Sequence, residues 1–429
     1  MPTSRDHFPY AYSPPRNLRA HERIRPEGTD PKQYWYQFWR GLTYLRKYYA
    51  KSDRCPPEMN EHFRAQHGAL MALEPPRRSA DVGRLGLLGD VMWIRDNWSG
   101  FLAPESRQHL EGYDAVIGNL ETVVSPSFPV TEWLPDLVRY NSPRRYLESF
   151  ESSRGGSLFS ALSTSNNHIL DFGDRGAIDT LDTLDSLGIA HSGVRAHSGQ
   201  SGWREIKVGG LRVGWTAAGY GMNHPADLDR SELDIHIVPG LAPESTDAPR
   251  LDRLQADFAQ MRAAGVDLIA VSIHWGFEYE SYPTPRMMVT AREIVAAGAD
   301  ILVGHHPHLQ QPMEMLFVNE TPDFDDPALR DPLCVTSTLQ TPDGRPRRAL
   351  IAYSLGNFST AMVTARCKIG LVLDIELYRD PEDERPRWRR PTTHWFYNRA
   401  PFLRSGRDRR RLEPWATASN TEMSRATVD

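Results

Sequence analysis

The segment Ile301-Leu302-Val303-Gly304-His305-His306-Pro307-His308 joins a short apolar run to three histidines placed where the run ends. Apolar runs of this length, bounded by turn residues, are typical of buried strands. The run Asp267–Ile273 has the same form and is followed directly by His274. Because imidazole is a common metal ligand in proteins, both strand ends are candidates for a metal site.

Short apolar runs alternate with helical patterns from Arg84 onwards, which predicts strands buried in a layered α/β domain. Apolar residues recur at helical spacing from Ala177 to Leu187, and two further helices are predicted over Leu251–Ala264 and Pro285–Ala297, each followed by a glycine. The candidate strands are Leu85–Gly89, Ala115–Asn119, Phe159–Thr164, Arg212–Ala217, Asp267–Ile273, Ile301–Gly304, Leu350–Ser354 and Gly370–Leu377.

Residues that can bind a metal lie at the ends of five of these predicted strands. The carboxyl ends of strands in an open α/β sheet share one edge, where ligands bind. One Asp, Asn or His after a strand is more often a turn residue or a satisfied core histidine than a ligand. Five such features together favour a metal site with oxygen and nitrogen ligands. The residues are Asp90, Asn119, Glu121, Asn166, Asn167, His168, His274, His305, His306 and His308.

The composition is that of an ordinary globular protein of 429 residues, with 50 Lys and Arg against 55 Asp and Glu and a net charge of −5. This balance gives no reason to expect a nucleic acid partner. No window approaches 18 uninterrupted apolar residues and no secretory signal is visible, so no transmembrane segment is predicted. Cys55, Cys334 and Cys367 are too far apart for a disulfide framework, which indicates a reducing, cytoplasmic location.

The chain is predicted to have three regions. Residues 1–80 form an N-terminal extension with a disordered arm and an aromatic helix, residues 81–378 form the main domain, and residues 379–429 form a C-terminal extension with a disordered tail. The aromatic segment 34–49 is interpreted as a helix packed on the main domain, or as a contact for a protein partner or a membrane surface.

Two further segments are predicted to lack regular structure. Residues 51–80 are interpreted as a loop because they contain several prolines and polar residues. Residues 315–348 are rich in Pro and Asp and are interpreted as a long surface insertion.

Six short motifs occur in a fixed order over about two-thirds of the chain. They are Gly89-Asp90-Val91-Met92 with Arg95, Asn119-Leu120-Glu121, Asn166-Asn167-His168 with Gly173, His274-Trp275-Gly276 with Glu278-Tyr279, Gly304-His305-His306-Pro307-His308 with Gln311-Pro312, and Tyr353-Ser354-Leu355-Gly356-Asn357-Phe358. In this order they resemble the bacterial capsule-synthesis CapA family, which is linked to poly-γ-glutamate and has the fold of calcineurin-like metallophosphoesterases.

The resemblance implies an α/β fold, namely a four-layer αββα sandwich of metallophosphoesterase type with N- and C-terminal extensions. It also implies a divalent metal centre at one edge, with one or two ions of Mn, Fe or Zn. The bridging ligand would be Glu121 rather than Asn119, because a carboxylate offsets the charge of two cations. The other ligands that the resemblance implies are Asn167, His274 and His306 for one ion. Asp90 and His308 would lie nearer the second ion.

The same resemblance implies roles for two residues beside the metals. His168 would act as a general acid near the leaving group, and Arg95 would bind a phosphate or carboxylate of the substrate. Met92 stands where phosphoesterases of the superfamily usually have a histidine, and a thioether is a poor ligand for hard cations. One of the two metal positions is therefore expected to be weak.

These features predict a metal-dependent hydrolase that uses a metal-activated water on a phosphate ester or a γ-glutamyl, amide-containing anionic substrate, in capsule, poly-γ-glutamate or related biosynthesis. One alternative is a non-catalytic accessory protein that binds carboxylates or a glutamyl polymer. Another is an amide-forming transferase, although the chain has no Gly-Lys-Ser/Thr phosphate loop.

Overall fold

The computed structural model describes residues 45–50, 55–77, 82–131, 139–196, 199–319, 338–341, 344–399 and 410–414. Most of the aromatic segment 34–49, the predicted arm that precedes it, the end of the predicted tail and Cys334 lie outside the described residues.

The described residues form short helices and many strands. The helices are α1 (Pro57–Ala72), α2 (Pro104–Leu110), α3 (Arg144–Glu148), α4 (Gly173–Ser186), α5 (Pro225–Arg230), α6 (Asp252–Ala263) and α7 (Pro285–Ala297). The strands are β1 (Gly83–Met92), β2 (Ala115–Glu121), β3 (Ala161–Ser163), β4 (Ala190–Ser192), β5 (Val194–Arg195), β6 (Trp203–Val208), β7 (Leu211–Gly219), β8 (Asp234–Ile235), β9 (Leu268–His274), β10 (Ile301–His305), β11 (Met313–Val318), β12 (Thr338–Leu339), β13 (Arg347–Ala352), β14 (Asn357–Ser359), β15 (Ile369–Arg379), β16 (Pro386–Trp388), β17 (Thr392–Arg399) and β18 (Arg411–Pro414).

Two large mixed sheets organise these strands. The first has the order β18–β17–β15–β1–β2–β3–β4, and β1 to β4 run parallel. The second has the order β12–β11–β13–β10–β9–β7–β6, and β7, β9, β10 and β13 run parallel. Parallel neighbours require crossover connections, and helices α2, α4, α6 and α7 occur within these crossovers.

The two sheets pack face to face through an apolar core that contains Leu87 and Ile117 of the first sheet together with Trp215 and Val303 of the second. Helices α2, α3 and α4 cover the outer face of the first sheet, while α6 and α7 cover the outer face of the second. These layers form an αββα sandwich, so the predicted fold class is confirmed.

All of the predicted strands overlap strands of the structure, and the helix Pro285–Ala297 has its predicted bounds. The prediction that 51–80 is a loop is wrong, because this segment contains α1. The predicted start of the insertion 315–348 is wrong as well, because it falls inside β11, whose residues from Glu314 to Val318 are buried. Residues 320–337 of the proposed insertion lie outside the described residues.

Strands from the predicted C-terminal extension join the first sheet. β17 pairs with β15, β18 pairs with β17, and β16 pairs with the end of β15. Residues beyond 378 therefore contribute to the sheet that carries β1 and β2. The division of the chain into three regions stays a prediction.

A search of the helices in the described part of the chain finds none with the length and apolar character needed to cross a membrane.

Candidate metal centre

Strand ends from both sheets meet at one edge of the sandwich. Asp90 of β1 lies in register with Asn119 of β2, and His274 of β9 lies in register with His305 of β10. The Asn119 Nδ2 atom donates to Asp90 Oδ1 at 2.9 Å and lies 3.3 Å from His274 Nδ1. The backbone N–H of His306 donates to Asp90 Oδ2 at 3.3 Å, so the two sheets share a polar network at this edge.

Two glycines allow the backbone to pack closely behind these side chains. A Cβ atom on Gly89, which precedes Asp90, would lie 1.9 Å from the Gly356 carbonyl oxygen. A Cβ atom on Gly304 would lie 1.8 Å from the Tyr353 carbonyl oxygen. Neither position has space for a side chain, because real contacts of a Cβ atom are far longer.

Glu121 lies between two histidines at the centre of this edge. Its Oε1 atom is 3.6 Å from His274 Nε2 and 3.9 Å from His308 Nε2. The side chain is fully buried, and neither carboxylate oxygen has a hydrogen-bond partner. Burial, together with the charge of Asp90, raises the pKa of Glu121 well above its usual range. A buried carboxylate without donors is costly unless a cation compensates its charge.

In the described part of the chain, two groups of His, Asp and Glu side chains place their ligand atoms within 4.8 Å of one another. One group is Asp90, Glu121 and His274, and the other is Glu121, His306 and His308. Glu121 belongs to both groups, which is the arrangement expected of a bridging ligand. The second group pairs His306 with His308, whereas the resemblance implies that His306 acts with His274. The assignment of ligands to individual ions therefore stays a prediction.

His306 and His308 lie in a turn with an unusual backbone. Both residues have positive φ angles, 97° and 59°, which are uncommon for residues other than glycine and often occur at functional sites. Burial lowers the pKa of His306 to about 4, and its buried Nδ1 atom has no hydrogen-bond partner. A neutral imidazole with an unused nitrogen is the form that binds metals.

His274 and His308 differ in their electrostatic setting. Burial, with the charge of His306, lowers the pKa of His274 well below its usual range. Burial also acts to lower the pKa of His308, but the carboxylates of Glu121, Asp90 and Glu278 outweigh it and raise that pKa well above its usual range. Positive charge is therefore favoured on the side of the site that His308 occupies.

Asn167 and His168 extend the network beyond the two groups. The Asn167 Oδ1 atom lies 2.8 Å from His274 Nε2, and its Nδ2 atom donates to Asn223 Oδ1 at 2.7 Å. The His168 Nδ1 atom lies 2.8 Å from Asp171 Oδ2, which fixes the orientation of the ring. Asn167 therefore touches a candidate ligand, and His168 lies next to it.

Met92 and Arg95 have neighbours that are not candidate metal ligands. The Met92 sulfur is buried and accepts a hydrogen bond from Thr360 Oγ1 at 3.7 Å. Burial lowers the pKa of Arg410, the charge of Asp96 opposes this shift, and the charge of Arg95 adds to it, so Arg95 faces another cation. The role of Arg95 in binding an anionic substrate stays a prediction.

Two residues of the site that sequence reasoning missed follow β7. The Tyr220 ring packs 5.0 Å from the His306 ring, and Asn223 links Asn167 to His168. Since β7 is parallel to β9 and its neighbour in the sheet, its carboxyl end reaches the same edge. The rule that identified the other strand ends could have found both residues.

The residues of this edge fit a divalent ion. Both Glu121 oxygens and His306 Nδ1 are buried without hydrogen-bond partners. Carboxylate oxygen and imidazole nitrogen together suit Mn, Fe and Zn. A divalent cation would satisfy several of these atoms at once.

Comparison with known proteins gives the family. Residues 84–362 match the family described as bacterial capsule synthesis protein PGA_cap. The chain belongs to this family. The resemblance inferred from the six motifs is therefore confirmed.

Three relatives show the extent of the similarity. The chain is 30% identical over 166 residues to the capsule biosynthesis protein CapA of Bacillus anthracis, covering 37% of this chain and 36% of that protein. It is 32% identical over 162 residues to the PGA biosynthesis protein CapA of Bacillus subtilis, covering 37% and 39%. It is 29% identical over 171 residues to a probable polyglutamine synthesis accessory protein of Mycobacterium tuberculosis, covering 35% and 40%. The matched part thus spans less than half the length of each relative.

One similar solved structure is the calcineurin-like phosphoesterase YfkN from Bacillus subtilis. It covers 73% of this chain and 90% of that chain, with 11% identity and a TM-score of 0.38.

Proposed function

We propose that this chain is a metal-dependent hydrolase that acts on a phosphate ester or a γ-glutamyl amide of an anionic substrate in capsule, poly-γ-glutamate or related biosynthesis. The observation that carries the proposal is Glu121, a buried carboxylate without hydrogen-bond donors that belongs to two groups of ligand atoms. The names of the relatives support a role in biosynthesis of the capsule or its polymer.

Residues of both sheets would hold the ion or ions. Asp90, Glu121 and His274 form one ligand group, and Glu121, His306 and His308 form the other. A divalent ion bound there lowers the pKa of a coordinated water and polarises a substrate oxygen. The surrounding burial keeps bulk water away from these groups and strengthens their electrostatic interactions.

His168 supplies the proton that the leaving group needs. Asp171 accepts a hydrogen bond from His168 Nδ1 and orients the ring. Asn223 contacts both His168 and Asn167, so the proton donor is positioned relative to the ligand network.

A second candidate function is an accessory role in which the same edge binds carboxylates of a glutamyl polymer without turnover. The buried Met92 sulfur, which accepts a hydrogen bond from Thr360, favours this alternative because it adds no ligand for a hard cation. The relative from Mycobacterium tuberculosis is named a probable accessory protein.

The experiment is to purify the protein, measure its bound metal, and assay an aryl phosphate beside γ-glutamyl amides with and without a chelator. We expect bound divalent metal, turnover of one substrate class, and loss of turnover after chelation or in His274→Ala. Full activity after chelation and in that variant contradicts the proposal. Bound metal without turnover, together with saturable binding of glutamyl oligomers, supports the accessory role instead.

A further inference from the structure

Glu278 lies beside the second ligand group, in the loop that follows β9. Gly276 and Tyr279, on either side of Glu278 in this loop, have positive φ angles of 82° and 63°. The backbone N–H of Tyr279 donates to the Pro307 carbonyl at 2.8 Å and ties the loop to the turn that carries His306 and His308. Glu278 is therefore held next to these two histidines.

The hydrogen bonds of His308 determine which of its nitrogens faces the site. Asn357 Nδ2 donates to the Cys367 carbonyl at 3.1 Å, which turns Asn357 Oδ1 toward His308 Nδ1 at 3.0 Å. In the neutral imidazole, Nδ1 then carries the proton and donates it to Asn357. The lone pair is left on Nε2, which is the nitrogen that faces Glu278 and Glu121, whereas Asp90 Oδ2 lies 3.4 Å from Nδ1.

Two carboxylates face this nitrogen from different elements. Glu278 Oε1 lies 3.7 Å from His308 Nε2, and Glu121 Oε1 lies 3.9 Å from it. Both distances exceed those of an N–H···O hydrogen bond. Metal–ligand bonds of roughly 2.1 Å place two ligands of one ion about 3.0–4.2 Å apart. The distances from His308 Nε2 to the two carboxylates therefore suit ligands of one cation.

We propose that Glu278 is a further ligand of the ion held by Glu121, His306 and His308. The proposal rests on the metal-dependent function proposed above. The Glu278 side chain is 20% exposed, whereas the other three residues are at most 4% exposed. Glu278 is thus the ligand on the solvent side of this ion, where an incoming phosphate or carboxylate of a substrate displaces it.

The test measures metal binding rather than turnover. The full chain is stripped of metal and titrated with Mn²⁺ while free Mn²⁺ is followed by electron paramagnetic resonance, and Co²⁺ binding is followed by its visible absorption. Glu278→Gln removes the charge and keeps the shape of the side chain. Glu280→Gln is the matched control, because Glu280 is in the same loop but pairs with Lys47.

We expect Glu278→Gln to weaken one class of Mn²⁺ site at least ~10-fold and to change the Co²⁺ spectrum, while Glu280→Gln behaves like the wild type. Glu278→Asp, which keeps a carboxylate, should restore part of the affinity. Wild-type affinity and an unchanged Co²⁺ spectrum in Glu278→Gln overturn the role of Glu278 and leave the proposed function standing. If the wild-type protein itself binds neither ion, both the proposed function and the Glu278 ligand are wrong.

Discussion

Glu121 is the residue whose effect on the free energy of unfolding should differ most between the metal-free and the metal-bound protein. Its carboxyl group is buried near Asp90 without donors, and its raised pKa means that the metal-free fold bears the cost of either burying the charge or protonating the group at neutral pH. We expect Glu121→Gln to raise the free energy of unfolding of the metal-free protein by about 1–3 kcal/mol at neutral pH. The same variant should lose most of the stabilisation that Mn²⁺ gives the wild type.

Thermal unfolding with and without Mn²⁺ measures both effects. A Glu121→Gln variant that is less stable than the wild type without metal, yet gains the same increase in Tm with Mn²⁺, would show that Glu121 is not the shared ligand.

His168 can be tested through the leaving group of the substrate. If His168 protonates that group, His168→Asn should lower kcat about 10²–10⁴-fold for a substrate with a poor leaving group. The loss should be much smaller for an activated aryl substrate, whose leaving group departs without a proton. Steady-state kinetics on the two substrates distinguish the roles, since an equal loss on both indicates that His168 acts only through the structure of the site.

At the scale of elements, Glu314 connects β11 to two helices and to Tyr353, the residue that follows β13. Its buried carboxylate pairs with Arg292 of α7, accepts a hydrogen bond from Tyr353 at 2.6 Å, and lies 3.5 Å from His62 Nε2 of α1. Burial acts to raise its pKa, but the charge of Arg292 and the contact with His62 outweigh it and lower the pKa of Glu314 from 4.5 to about 2.

This shift predicts a definite pH dependence of stability. Between about pH 4.5 and 2 the unfolded chain binds a proton at Glu314 that the folded protein does not, so the stabilisation is complete above pH 4.5 and is lost as the pH falls toward 2. We expect Glu314→Gln to lower the free energy of unfolding by about 3 kcal/mol at pH 7. The free energy of unfolding of this variant should also depend less on pH between about 4.5 and 2 than that of the wild type.

Chemical unfolding at several pH values gives the measurement. Glu58→Gln is the control, because Glu58 is an exposed carboxylate of α1 and should change stability by less than about 0.5 kcal/mol. Parallel pH curves for the wild type and Glu314→Gln would be inconsistent with this account.

The same contacts explain why α1 and β11 were not predicted. α1 buries His62 and Gln66, which look like solvent-facing residues in a sequence. Gln66 Oε1 accepts a hydrogen bond from the backbone N–H of Met315, and Glu314 is neutralised by Arg292. Polar residues that are satisfied by distant parts of the chain break the apolar patterns on which strand and helix predictions depend.

At the scale of the whole molecule, the sandwich was predictable because parallel strands are continuous apolar runs. The convergence of Asp90, Glu121 and His274 was predictable as well, because polar residues at strand ends meet at one edge. The distribution of ligands between two groups was not predictable. It depends on how the second sheet is rotated against the first, and no local pattern encodes that rotation.

The central claim is that Glu121 is shared between two metal-binding groups. Anomalous diffraction from crystals of the full chain grown with Mn²⁺ tests it most directly. The account predicts anomalous density at the sandwich edge, with one peak within about 2.5 Å of ligand atoms of Glu121, His306 and His308 and a second peak within the same distance of Asp90, Glu121 and His274. Crystals without anomalous density at this edge, at Mn²⁺ concentrations that saturate ordinary protein sites, would contradict the claim.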